Sequence, residues 1–483
     1  MKKSLTINAA LSSLRTLTTI IFPLITYPYI TRVLSVENIG RVNFGQSIVS
    51  YFVLLAGFGI STFAIRNGSQ IRENNEQLNL FANRVFTINI ITTIISCGLL
   101  VIVTILPTKV ATYRTIILLQ GLTVAISPLA VDWLYTIEED FGYITLRSIV
   151  IQLLSVVLMF TFVKSENDVY LYVALTSMST SLGNIFNFLH SKKYVKLKLV
   201  SDTHWNEYKS SILLFFVNSI ATTIYMNSDT TILGILKDDY SVGLYSVAVK
   251  IYMIVKQVFN AVIATTIPRL AYLRKSDAKE FENLTKSMLS IASICTIPAA
   301  AGLIILRKEV ITLISGDNYM EAAPTLAILS AAIFFGILAN ILANGVLISM
   351  GREKCVVKAT VVSAVGNAAL NLVFIPFLSQ NGAAITTLLA EMTVFGMSLY
   401  YSKDIVMHMI DVSEFRNAIL GSALMTLVSY PVSKALANSQ LFMKIAIMIV
   451  VCAGVYAIVL MLFRDKVMFS ILGQVKKKLS KIK

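Results

Sequence analysis

TTIYMNSDTTILG, residues 222–234, carries an aspartate inside an apolar run that extends from 210 to 235. A helix of about 20 mainly apolar residues crosses a bilayer. Insertion scales put an isolated charge at its centre at roughly 2.5–3.5 kcal/mol. Asp229 is therefore expected to have a partner, a hydrated surrounding, or both. Thirteen further runs of this kind flank it, at 6–30, 42–65, 82–106, 114–137, 143–163, 169–190, 242–267, 285–306, 323–348, 355–376, 382–402, 416–436 and 442–463. With 56% hydrophobic and 14% charged residues and a mean hydropathy of +0.75, the chain reads as an all-α polytopic membrane protein of about fourteen transmembrane helices.

Lysine and arginine give the orientation. With the N-terminus inside, 28 of the 41 fall in the even-numbered connections and termini, Arg147 among them, and both termini face the cytoplasm. The net charge of +15 is then the positive-inside bias plus a VKKKLSKIK tail (475–483) on anionic lipid, with no nucleic acid partner implied. Arg15 interrupts the first run and no small-residue cleavage site follows, so that span is expected to be retained. Cys97, Cys295, Cys355 and Cys452 stand singly and read as small buried hydrophobes. His190, His204 and His408 have no metal-ligand spacing.

The longest connection, basic and at 190–210, divides the chain into an N-lobe (1–190, six spans), a cytoplasmic linker (191–209), a C-lobe (210–403, six spans) and a last pair of spans with the basic tail (404–483). An internal repeat supports the division: TRVLSVENIG (31–40) and TTILGILKDDYSVG (230–243) align Leu34 with Leu233 and Gly40 with Gly243, with four extra residues in the second. The acidic pair in KDDY (237–240) reads as a solvated turn. In the first span Asn8, Ser12, Arg15, Thr19 and Thr26 follow one helical face; in the seventh, Ser211, Asn218, Thr222, Tyr225 and Asp229 do the same. Shifted by 199 residues the two stripes superimpose, which points to a shared polar cavity; hydrogen bonding between helices is the alternative.

The eighth span adds Ser246, Lys250, Gln257 and Asn260 on one face. Asp229 and Lys250 fall at a similar depth of roughly 10 Å from the outer end, so a bridge between them is the structural alternative to a cavity-facing Asp229. Arg15, Lys250 and Lys256 make the intramembrane charge mostly cationic, suited to phosphate or diphosphate; Asp132 and Glu391 lie nearer the cytoplasmic side. Pro23, Pro28, Pro298, Gly336 and Gly345 are candidate kinks, the first two candidate hinges.

Several stretches, in order along the chain, resemble the bacterial polysaccharide repeat-unit flippases (Wzx-type) of the multidrug/oligosaccharidyl-lipid/polysaccharide exporter superfamily. They are FPLITYPYITRVLSVENIGRVNFGQSIVSYF (22–52), FGISTFAIR (58–66), DWLYTIEEDFGYITLRSI (132–149), IYMNSDTTILG (224–234), VGLYSVAVKI (242–251), IPRL (267–270) and GREKCVVKATVVSAVGNAALNLVFIPFLSQNGAAITTLLAE (351–391). The resemblance implies two six-helix lobes around a cationic cavity, two outer helices and alternating access. The implied passenger is an undecaprenyl diphosphate-linked oligosaccharide, with membrane lipids and, in the same pathway, a polymerase and glycosyltransferases as partners.

It also implies motif or gating positions at Arg32, Gly40, Arg66, Trp133, Glu139, Asp229, Gly243, Lys250, Pro268, Arg269, Asn367, Asn371, Pro376 and Glu391. Thr136-Ile137 stands where many members have Gln-Gly, so a helix-terminal role for Glu139 stays open beside the motif role. No cofactor is expected beyond a possible coupling ion, Na⁺ or H⁺, at Asp229. The chain is expected to act as a monomer. A multidrug and toxin extrusion antiporter and a lipid II flippase are the neighbouring alternatives. A glycosyltransferase or polymerase would call for a large outer loop or a paired-carboxylate site beside a soluble domain, whereas the outer loops here are short and their only acidic pair is that of KDDY.

Overall fold

In lipid every backbone polar group must be satisfied within the segment, so long apolar runs fold as helices. A computed structural model describes residues 5–407, 409, 412–465 and 468–469; among these there is no strand, and twelve of the fourteen expected runs lie on helix to within a residue at their ends, while the run 42–65 breaks at Phe58–Gly59 and the run 114–137 at Val131, where the backbone takes positive φ. Among the described residues ten helical segments are long and apolar enough to cross a membrane by length and composition. One of them, Glu353–Val406, holds two expected spans, broken at Ser379 where the backbone turns left-handed at φ 50° just past Pro376. The VKKKLSKIK tail and His408 lie outside the described residues.

The chain divides into two compact units, Met1–Ser246 and Val247–Lys483. In the first, α1 (Leu5–Val33) runs unbroken through Pro23 and Pro28. Next come α2 (Val36–Gly57) and α3 (Asn75–Ile105), which are glued by polar side chains. Ser96 Oγ donates to Phe52 O (2.7 Å), and Asn89 Nδ2 and Thr92 Oγ1 both donate to Ala56 O (2.8 and 2.7 Å). A cluster of buried side chains, Phe63, Phe81, Trp133, Tyr135 and Ile137 among them, ties α3 to the short helices Ile60–Gly68 and Asp132–Ile137.

The basic linker is docked rather than loose. Val195 is buried, the Lys198 amide donates to Asn83 Oδ1 (2.8 Å) and Arg84 pairs with Asp202 (3.1 Å). Helix α4 (Phe141–Phe162) and α5 (Val169–Ser191) follow the fourth run, and α6 (Trp205–Leu236) carries Asp229. Helix α7 (Asp239–Ser276) contains the boundary between the units.

In the second unit α8 (Ala278–Ile305) runs unbroken through Pro298 and meets α9 (Val412–Ala435) and α10 (Leu441–Leu462) in an apolar cluster of Ile294, Ala418, Met425, Cys452, Tyr456 and Leu460. Tyr456 OH donates to Ile294 O at 2.8 Å, which anchors the last helix to α8. Of the cysteines only Cys452 is buried, and Cys295 is exposed.

Candidate functional site

Repeat-related glycines meet at the turns between α1 and α2 and between α6 and α7. A Cβ on Gly40 would lie 1.8 Å from Asp239 O, and a Cβ on Gly243 would lie 2.2 Å from Val36 O. Gly40 and Gly243 are 203 residues apart, and so are the residues they meet, Val36 and Asp239, so the contact is reciprocal. Only a residue without a side chain permits this approach. Asp239 is not in a solvated turn, as its KDDY context suggests. It accepts from Tyr113 OH at 2.5 Å and from Arg41 Nε at 3.0 Å, and Lys109 Nζ donates to Ile235 O (3.3 Å) and to Lys237 O. Arg41 is half exposed, so Arg41→Gln is expected to lower stability by only about 0–1 kcal/mol, measured as a small shift in the melting of purified protein in detergent.

Further along α6, Asp229 is buried at 7% exposure and accepts from Tyr245 OH at 2.7 Å. Two residues on, Thr231 Oγ1 donates to Ser47 Oγ of α2 (3.0 Å) and meets Tyr51 OH (3.2 Å). The carboxylate is thus embedded in a polar seam within the first unit, as its setting in an apolar run requires. Of the other residues on the seventh-span stripe, Tyr225 is half-buried and Asn218 exposed. On the first-span stripe, the side chains of Asn8, Ser12, Arg15 and Thr19 lie outside the described residues.

In the second unit the buried cation has a partner. Lys256 Nζ makes an ion pair with Glu391 Oε1 and donates to Tyr252 OH at 3.0 Å; Tyr252 OH in turn donates to Glu391 Oε1 at 2.8 Å. Gly336 makes the room for it, since a Cβ there would lie 2.7 Å from Glu391 Oε2 and 2.9 Å from Lys256 Nζ. Its place in the helix Ala323–Asn340 is therefore a matter of space rather than of bending. The departure from α geometry comes just after it, in the π-helical stretch Ile341–Leu347 that holds Gly345.

There Asn344 Nδ2 donates to Asn340 Oδ1, and Asn340 Nδ2 to Asn260 Oδ1, each at 2.6 Å. Asn371 Nδ2 donates to Asn367 Oδ1 (3.2 Å) and Asn371 Oδ1 accepts from Thr386 Oγ1, all three residues buried. Lys250 is half-buried on α7, and Gln257 is exposed.

The remaining motif positions lie at helix ends. Arg32 donates to Pro28 O at 2.7 Å, closing the last turn of α1. Arg66 is exposed in the last turn of Ile60–Gly68. Arg269 stands 3.7 Å from Glu280, both exposed. Glu139, at φ 53°, pairs with Arg72 at 2.8 Å, and Arg72 also donates to Glu138 O at 3.2 Å; an arginine not singled out in the sequence thus staples the loop after the fourth run.

Arg147, counted among the cytoplasmic cations although it falls inside the run 143–163, sits in the second turn of α4, half-buried, with Nη1 donating to Gly183 O on α5 at 2.6 Å. It borders a cavity of about 590 Å³ with Asp132, whose Oδ1 accepts from Asn187 Nδ2 at 2.9 Å.

Residues 5–274 match the family described as polysaccharide biosynthesis protein. A candidate O-antigen transporter of Escherichia coli strain K12 is 24% identical over 391 residues, which is 80% of this chain and 93% of that one. The capsular polysaccharide biosynthesis protein CapF of Staphylococcus aureus is 22% identical over 379 residues, 77% of this chain and 92% of its own. Among solved structures, the lipid II flippase MurJ in an inward closed conformation superposes with a TM-score of 0.76 at 14% identity, covering 96% of this chain and 100% of that one. At that identity the likeness is one of fold.

Proposed function

Because the chain belongs to the polysaccharide biosynthesis protein family, we propose that it carries an undecaprenyl diphosphate-linked oligosaccharide from the inner to the outer leaflet of a bacterial cytoplasmic membrane. The polymer served is O-antigen, capsule or exopolysaccharide. The coarser statement is not a proposal: the chain is an all-helical, multi-pass membrane transporter, a polysaccharide-related flippase and not an enzyme.

The observation that supports the finer reading best is that Lys250 and Lys256 are retained, partly buried, in the middle of one long helix, where a cation is costly unless something uses it. A diphosphate is the anion such a pair of lysines would attract, and a sugar-bearing precursor is what a family of polysaccharide biosynthesis calls for. Lys256 is shared with Glu391, so on this reading the carboxylate competes with the passenger for the ammonium group.

Transport runs by alternating access in a monomer whose N-lobe (1–190) and C-lobe (210–403) are joined by the basic linker, with both termini cytoplasmic. Asp229 is the group that couples the cycle to Na⁺ or H⁺. A polymerase and glycosyltransferases of the same pathway consume and supply the passenger. The test is genetic and chemical together. Asp229→Asn and Lys250→Ala are expected to abolish surface polymer and to accumulate the lipid-linked intermediate, while protein level in the membrane is unchanged. Normal polymer from both variants would overturn their assignment.

A further inference from the structure

The cavity beside Arg147 lies wholly within the first unit, and its walls come mainly from two apolar helices, α4 and α5. Arg147, Ser148, Gln152 and Ser155 form one helical stripe; Thr176, Ser179, Thr180 and Asn184 form the facing one. Polar side chains glue membrane helices when they bond to each other across the interface, whereas most of these hydroxyls bond within their own helix and face the cavity.

The chemistry of the walls is specific. Thr176 Oγ1 donates to Tyr172 O (3.0 Å), Ser179 Oγ to Leu175 O (2.8 Å) and Thr180 Oγ1 to Thr176 O (3.2 Å), so these hydroxyls spend their protons on backbone and offer lone pairs to the cavity. Gln152 Oε1 is buried with no hydrogen-bond partner among the described residues, another acceptor without a donor. Arg147 and Asp132 cancel in formal charge, and each is engaged by protein, on Gly183 O and Asn187 Nδ2. The Gln152 and Asn184 amides and the Arg147 guanidinium place N–H donors beside these acceptors, so the cavity is net neutral and offers both halves of a hydrogen bond. It suits a neutral ligand that brings many O–H groups, and Pro23 and Ile151 add an apolar patch for C–H faces.

We propose that this cavity binds a sugar residue of the passenger and so reads the identity of the oligosaccharide. The proposal rests on the flippase reading given above and names a site for one part of the passenger, its sugar. At about 590 Å³ it falls within the roughly 300–1,000 Å³ of small-molecule sites.

The test uses the full-length protein in nanodiscs and two probes: undecaprenyl diphosphate without sugar, and the lipid-linked intermediate extracted from cells lacking the protein. Wild type is expected to prefer the sugar-bearing lipid by about tenfold or more. The double variant Gln152→Leu, Thr180→Val, close in volume, is expected to lose that preference while binding the sugar-free lipid as wild type does. A variant that keeps the preference overturns the proposal, and so does one that loses both lipids alike. A wild-type protein that binds neither lipid sinks the flippase reading itself. Ser155→Ala, a milder change on the same stripe, gives the same readout if the double variant fails to fold, with a partial loss of preference expected and full retention counting against the cavity.

Discussion

Glu391→Ala with Lys256 left in place is expected to cost roughly 3–5 kcal/mol, because removing one partner of a buried ion pair strands the other charge. The pair is well enclosed: the Glu391 side chain is 5% exposed and that of Lys256 16%. Tyr252 cannot substitute for the lost carboxylate, since its hydroxyl already donates to Glu391 and accepts from Lys256. The measurement is the melting of purified protein in detergent, together with membrane yield. Replacing both partners at once, Lys256→Met with Glu391→Leu, is expected to recover most of that stability and none of the transport. A double variant that still exports polymer would show the pair to be purely structural.

The second large effect is at the reciprocal turn contact. Gly40→Val would drive its side chain into the Asp239 carbonyl, and backbone, unlike the end of a flexible side chain, cannot step aside. Overpacking costs roughly 1–3 kcal/mol where neighbours can shift. At 1.8 Å from backbone the expected loss is at or beyond the upper end of that range. Gly243→Val, aimed at Val36 O, is expected to match it, because the repeat makes the two positions equivalent. Reduced surface polymer and a lowered melting temperature should appear in both variants, against the near-silent Arg41→Gln nearby.

Much of the fold was legible because membrane length and hydropathy leave few alternatives. The run boundaries, the break after Pro376 and the isolated aspartate at 229 are all local signals. The repeat located Gly40 and Gly243 as equivalent, but that each touches the other repeat's turn is a tertiary fact with no trace in either stretch. The same holds for Lys256 and Glu391, 135 residues apart, each a lone charge in an apolar run until Gly336 opens space for their meeting.

Around Arg147 the neighbours Ser148, Gln152 and Ser155 repeat at helical spacing, and Thr176, Thr180 and Asn184 answer them, so the stripe was readable within the runs 143–163 and 169–190. That the Arg147 guanidinium reaches Gly183 O on the next helix is a tertiary fact with no local signal. Glu139 was uncertain because its partner, Arg72, lies 67 residues away in a loop whose shape the sequence does not specify.

The central claim is that this chain moves a lipid-linked oligosaccharide between leaflets, and one leaflet measurement reaches it directly. In spheroplasts of cells deleted for the chain and blocked in polymerisation, sugar-modifying reagents that cannot cross the membrane should label the lipid-linked intermediate when wild type is restored. They should leave it unlabelled with Asp229→Asn. Equal labelling with and without the chain would contradict the account.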